Sequence, residues 1–89
     1  MEIEFDPEKD KLNLKKHGIS LREVERFEWG SAYVFPDEDH YDEIRECAIG
    51  YIGIDIHLYY LVFVERFERI RPVSLRRATP REIRRYANS

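Results

Sequence analysis

The chain opens on a strict alternation. Met1, Ile3 and Phe5 fall on one side and Glu2 and Glu4 on the other, the period-two mark of a short half-buried strand. Asp6-Pro7 then offers an N-cap followed by proline at the first helical position, so a helix is predicted over Pro7–Lys16. His17-Gly18 ends it, glycine being suited to a left-handed cap, and Lys15, Lys16 and His17 place positive charge in the last turn. Ser20-Leu21-Arg22-Glu23 reads as a capping box, which predicts a second helix almost at once. Ile19 and Val24 fit its hydrophobic staple, Val24 and Phe27 give it an apolar edge, and Gly30 is its stop. Ala32–Phe35 is a short strand closed by Pro36.

Asp37 to Glu43 holds five carboxylates around His40 and Tyr41 and is expected to be an exposed loop. Three strand-like runs follow: Ile44–Tyr51, then Leu58–Arg66 after a turn at Gly53, then Arg69–Arg77 after a tight turn at Phe67-Glu68. The middle run is apolar at both parities, as in a central strand covered on both faces. Pro72 cannot donate to a ladder and points to an edge or a bulge. Thr79-Pro80-Arg81-Glu82 joins an N-cap, an early proline and a capping-box glutamate, and predicts a final helix. Ile83, Tyr86 and Ala87 are expected to form its buried stripe, with Arg81, Arg84 and Arg85 pointing elsewhere. The order β-α-α-β-β-β-β-α describes an α+β fold in which helices pack on a mainly antiparallel sheet. Residues 1–89 are expected to form a single domain.

Composition changes this picture in one respect. The formal net charge is -3, but residues 1–65 carry 7 Lys+Arg against 16 Asp+Glu, while residues 66–89 carry 8 Arg against 2 Glu. The last third is therefore basic, and all of its cations are arginine, whose planar fork grips phosphate bidentately. Such a third suits a polyanion or an acidic protein that mimics one; equally, it is a solvated face offsetting an acidic front half. The single cysteine, Cys47, excludes an internal disulfide framework and a Cys-built zinc site. No signal peptide is visible, and Leu58–Val64 is far too short to span a bilayer, so a cytoplasmic protein without membrane contact is expected.

No cofactor signature, phosphate loop or nucleophile elbow appears, and His17, His40 and His57 are isolated from one another. His40 beside Asp37, Asp39 and Asp42 is compatible with a divalent cation, but a flexible acidic loop is the commoner meaning; no metal and no cofactor are expected. What remains is a cationic and polar set: Lys15, Lys16, His17, Arg66, Arg71, Arg76, Arg77 and Tyr86. Metal-free RNA cleavage needs no more than such parts. The ribose 2′-hydroxyl is the nucleophile, a base takes its proton, an acid protonates the departing 5′-oxygen, and cations stabilise the phosphorane-like transition state.

These residues also fall into a pattern. Phe5-Asp6-Pro7-x-Lys9-x-x-x-Asn13-x-x-Lys16-His17-Gly18-Ile19-Ser20-x-x-Glu23 resembles the N-terminal signature of the BrnT toxin family. Arg69-Ile70-Arg71-x-Val73-Ser74-x-Arg76-Arg77-Ala78-Thr79-x-x-Glu82-x-x-x-Tyr86 resembles its second signature, and Arg45-x-x-x-Ile49-Gly50 and Glu65-Arg66 fall at comparable elements between them. The resemblance implies a RelE-like fold and an endoribonuclease toxin of a type II toxin–antitoxin system that cleaves RNA, ribosome-bound or free, and so inhibits translation. It implies a BrnA-like ribbon-helix-helix antitoxin as partner, promoter DNA being met only through that antitoxin. Carried over residue by residue, it implies a catalytic set of Lys16, His17, Arg66, Arg76 and Tyr86, with Lys15, Arg71 and Arg77 as RNA-binding contributors. Three positions depart from the pattern: Val64 where the family often has Thr before the Glu-Arg pair, Leu75 where a small residue is usual, and Pro72 for an apolar strand residue.

Each candidate also has a plain structural meaning. His17 at a helix C-terminus is a complement to the dipole as readily as a proton carrier. Lys16 is better suited to a phosphate contact than to proton transfer, and Tyr86 is spaced as a core residue with a polar tip. Arg66 ends a buried strand at a rim. Adjacent Arg76 and Arg77 must face opposite ways, and strict alternation would pair Arg76 with Ser74 and Ile70, and Arg77 with Val73 and Arg71. Two other functions stay open at this level: a non-catalytic module that grips nucleic acid or an acidic partner, and a structural subunit whose arginines balance its acidic half.

Overall fold

A computed structural model describes residues 2–37 and 44–89. The acidic stretch around His40, and with it the cation-binding alternative, lies outside the described residues. The elements are β1 (Glu2–Ile3), α1 (Pro7–His17), 3-10 segments at Leu21–Arg26 and Trp29–Ser31, β2 (Tyr33–Pro36), β3 (Glu46–Tyr51), β4 (Leu58–Arg66), β5 (Arg69–Arg77) and α2 (Pro80–Ala87). They build a mixed α+β fold on one five-stranded sheet of order β1-β5-β4-β3-β2. Neighbours are antiparallel except β1, which runs parallel to β5. Among the described residues no helix is long and apolar enough to cross a membrane.

Both ends of α1 are built as the residues require. The Asp6 side chain accepts a hydrogen bond from the Glu8 N–H, and Gly18 takes the left-handed conformation, φ 73°, while its N–H closes on the Leu14 carbonyl. The second helix differs from expectation: it is a six-residue 3-10 segment that stops before Phe27, and Ser20 caps Arg22 rather than closing a box with Glu23. The cause is visible in its spacing. Leu21, Val24 and Phe27 recur every third residue and are all buried, a stripe that a three-residue turn aligns and a 3.6-residue turn would spread. Asp10 of α1 ties this segment down, accepting from the Leu21 N–H at 2.8 Å and from the Ser20 hydroxyl at 2.9 Å.

The sheet has two unlike faces. On one, Leu61, Phe63, Leu75 and Ile70 form the main core with Leu21, Val24 and Phe27. Gly50 lets Phe27 lie against β3, for a Cβ there would stand 2.8 Å from the ring. On the other face a smaller cluster of Phe35, Cys47, Ile49 and Leu58 is partly covered by Tyr86 of α2. α2 has its expected capping box, but the expected buried stripe is absent: no residue of the helix is buried, and Ile83 is 43% exposed. Ring and polar contacts hold it instead. Tyr86 packs edge-on to Tyr51, and the Arg85 guanidinium sits 3.8 Å from the Phe35 ring centre.

Between Val62/Phe63 of β4 and Pro72/Ser74 of β5 the register slips, leaving Val73 as an extra residue. This is the bulge that Pro72 announced, and it inverts the parity of the strand. Cross-strand partners share a face, so Arg71, Ser74 and Arg76 stand with Val64, Val62 and Tyr60. Ile70 and Arg77 stand on the opposite, main-core face. The pairings read from strict alternation, Arg76 with Ile70 and Arg77 with Arg71, are therefore overturned.

Candidate active site

β1 covers only the first part of β5, pairing Glu2 with Arg69 and Ile3 with Ile70. Beyond it α1 takes over the edge. The Leu75 N–H donates to the Asn13 side-chain oxygen at 3.0 Å, and the Asn13 amide donates to the Leu75 carbonyl at 2.8 Å and to the Ile19 carbonyl at 2.9 Å. Asn13 is buried, with its donors and acceptor engaged, and serves as the missing strand neighbour. Because Lys16 and His17 follow Asn13 by three and four residues, they lie one turn along, beside the bulge.

A cleft of about 200 Å³ opens there, lined by Asn13, Lys16, His17, Val73 and Ser74 among others. Burial holds the His17 imidazole below its ordinary pKa of 6.5, and the charges of Lys16 and Arg76 lower it further. The shift favours the neutral ring, the form able to accept a proton.

Arg76 is the most organised cation of the set. It forms a bidentate pair with Glu82, at 2.8 and 2.9 Å, and its guanidinium lies 4.6 Å from the Tyr60 ring centre. Hydrogen bonding to Glu82 raises the Arg76 pKa against the opposing pull of burial. Burial pushes Glu82 up, but hydrogen bonds from Arg76 and the Thr79 N–H prevail and hold its carboxyl below the usual range. Glu82 therefore both closes the cap of α2, accepting from the Thr79 N–H at 2.8 Å, and orients the arginine.

The remaining candidates separate. Arg66, Arg69 and Arg71 gather at the far end of the same face, around a second cavity with Glu4 and Phe67. Arg71 pairs with Glu4 at 3.1 Å and Arg69 with Glu2 at 2.9 Å. Arg77 turns to the opposite face and contacts the His57 imidazole. Tyr86 donates its hydroxyl to the Ser31 carbonyl at 3.0 Å and lies over β3, two strands from the cleft. Lys15 is exposed on α1 and does not line the cleft. Three contributors escaped sequence reasoning. All three stand inside the quoted motifs, but Asn13 was given no role, Ser74 only a strand face and Glu82 only a cap.

A family model for the ribonuclease toxin BrnT of type II toxin–antitoxin systems matches residues 5–82. Among solved structures, the 1.1 Å crystal structure of the Brucella abortus ribonuclease toxin BrnT is similar, with 29% sequence identity and a TM-score of 0.69. The match covers 89% of this chain and 97% of that one. A comparison with curated proteins finds no match.

Proposed function

Because the chain belongs to the BrnT family of ribonuclease toxins of type II toxin–antitoxin systems, we propose that its edge cleft cleaves RNA internally, without a metal, by attack of the ribose 2′-hydroxyl. Neutral His17 takes the proton of the attacking hydroxyl. The charges of Lys16 and Arg76 oppose the negative charge that builds on the phosphorus oxygens, and the Ser74 hydroxyl lines the same cleft. The departing 5′-oxygen is protonated from solvent, and Lys16 remains a phosphate contact. The products are a 2′,3′-cyclic phosphate and a free 5′-hydroxyl.

The observation that carries this reading is the meeting of His17, Lys16 and Ser74 in one cleft, with Arg76 close enough to lower the histidine pKa. Membership of a type II system implies an antitoxin partner. A BrnA-like ribbon-helix-helix antitoxin is the proposed partner, shielding the open face and linking the toxin to promoter DNA. The single sheet with flanking helices supports a RelE-like fold acting as one domain, and ribosome-bound message is a fitting substrate for a translation inhibitor. One observation favours a second reading, a binding module that does not cut: Arg76 already has a carboxylate partner in Glu82.

The two separate in one assay. Labelled RNA incubated with the purified chain in EDTA is expected to yield 2′,3′-cyclic phosphate ends, and His17→Ala to slow cleavage by roughly 10²–10⁴-fold. RNA that is bound but stays intact supports the second reading. Cleavage that stops in EDTA, or that His17→Ala leaves unchanged, sinks the proposed chemistry.

A further inference from the structure

The turn joining β4 to β5 breaks two local rules at once. Phe67 and Glu68 both take left-handed backbone, φ 50° and 64°, where hairpin turns normally use Asn-Gly. Such a conformation is unfavourable for a non-glycine residue. Phe67 offsets none of this through packing, since the residue is 95% exposed. An aromatic ring held in solvent on an unfavourable backbone adds no packing to the fold.

Its surroundings indicate a use. Phe67 borders a cavity of about 460 Å³ with Arg66, Arg69, Arg71 and Glu4. Arg66 has no ion pair or hydrogen bond among the described side chains, leaving its guanidinium available. The Arg69–Glu2 and Arg71–Glu4 pairs are exposed, and such surface pairs exchange readily for a phosphate. The Val73 bulge puts Arg71 on the same face as Arg76, about 13 Å away over the four paired steps from Val64 to Tyr60 at ~3.3 Å per residue. Arg76, Arg71 and Arg66 therefore share the face that runs from the edge cleft to an exposed ring, which Glu2, Glu65 and Glu68 border on its other side.

We propose that Phe67, with Arg66 and Arg71, is a docking subsite for a single-stranded stretch of the RNA substrate, one base stacking on the ring and adjacent phosphates resting on the guanidiniums. The subsite rests on the ribonuclease reading above and extends it to substrate choice. It favours substrates unpaired for several nucleotides beside the cut, and stacking makes it tolerant of base identity.

Phe67→Gly is the decisive variant, because glycine accepts the left-handed turn and the fold should keep or gain thermal stability. With an RNA octamer, the variant is expected to lose roughly 5–150-fold in kcat/KM, the range of one lost base stack. A dinucleotide, too short to span cleft and hairpin, should be cut as by the wild type, and Phe67→Trp should restore the octamer rate. In an octamer carrying 2-aminopurine, quenching on binding should appear with the wild type and vanish with Phe67→Gly. Unchanged octamer kinetics and quenching overturn the subsite, as does an equal loss on both substrates. Unchanged RNA kinetics with weakened antitoxin binding also overturn it, making the hairpin a protein contact. A wild-type chain that cuts neither RNA instead removes the ribonuclease reading itself.

Discussion

At His17 two electrostatic influences oppose each other. The C-terminus of α1 favours an imidazolium, while burial and the neighbouring charges of Lys16 and Arg76 penalise it and hold the ring below its ordinary value. The sign follows: protons bind more weakly than in a free histidine, so an NMR titration of the His17 ring should place its midpoint below 6.5. Lys16→Gln removes one positive neighbour and should raise that midpoint; a fall, or a wild-type midpoint above the ordinary value, would contradict the arrangement. Not every residue was this legible. Glu82 at the third helical position announced a capping box, yet its hold on Arg76 depends on how β5 turns into α2, which no local spacing encodes. Tyr86 was legible as a ring with a polar tip, and that is how it stands, its hydroxyl on Ser31 rather than in the cleft.

At the scale of elements, α1 and β5 depend on each other through Asn13. Asn13→Ala would leave the Leu75 N–H and carbonyl and the Ile19 carbonyl without their partner. Orphaned buried groups cost about 1–3 kcal/mol each, so the variant should lose at least ~2 kcal/mol in denaturant unfolding. Its cleavage rate should fall further than its folded fraction, since the helix carrying Lys16 and His17 is no longer pinned to the bulge. An unaltered midpoint of unfolding would show that α1 is held by other means. Elements with local signals were readable, including both bounds of β4 and of β5. The misreadings share a physical origin. Strand parity was counted through Val73, where one extra residue inverts it, and Pro72 signalled the bulge without saying which residue would be expelled. The i, i+3 stripe of Leu21, Val24 and Phe27 selected a 3-10 turn over an α-helix. α2 kept its cap but not its stripe, because Tyr33, Phe35 and Tyr51 meet it with rings rather than a groove.

Across the whole molecule, the basic final third does not form one basic slab. Arg69, Arg71 and Arg76 each meet a carboxylate, Arg77 meets His57, and Arg85 lies over aromatic rings. The best buried of these pairs, Arg76–Glu82, ties folding to pH. The Glu82 carboxyl is held below its ordinary 4.5, so between the two values the unfolded chain binds more protons. Its contribution to stability is full above about pH 5 and is lost as pH falls through the folded value. Glu82→Gln keeps a side-chain oxygen for the cap but no charge for Arg76. The variant should be less stable by about 2 kcal/mol at neutral pH, with a flatter acid limb in thermal unfolding. Parallel acid limbs for variant and wild type would show that other carboxylates carry the dependence.

The cleft also has a position in time. Lys16 and His17 lie on α1 and Ser74 and Arg76 on β5, joined by contacts such as Asn13–Leu75 that span 62 residues. A ribosome delivers them in that order, at roughly 5–20 residues per second. Until β5 has emerged, α1 has no strand edge to occupy and the histidine has no arginine opposite it. A nascent chain therefore has no assembled cleft until β5 has joined α1.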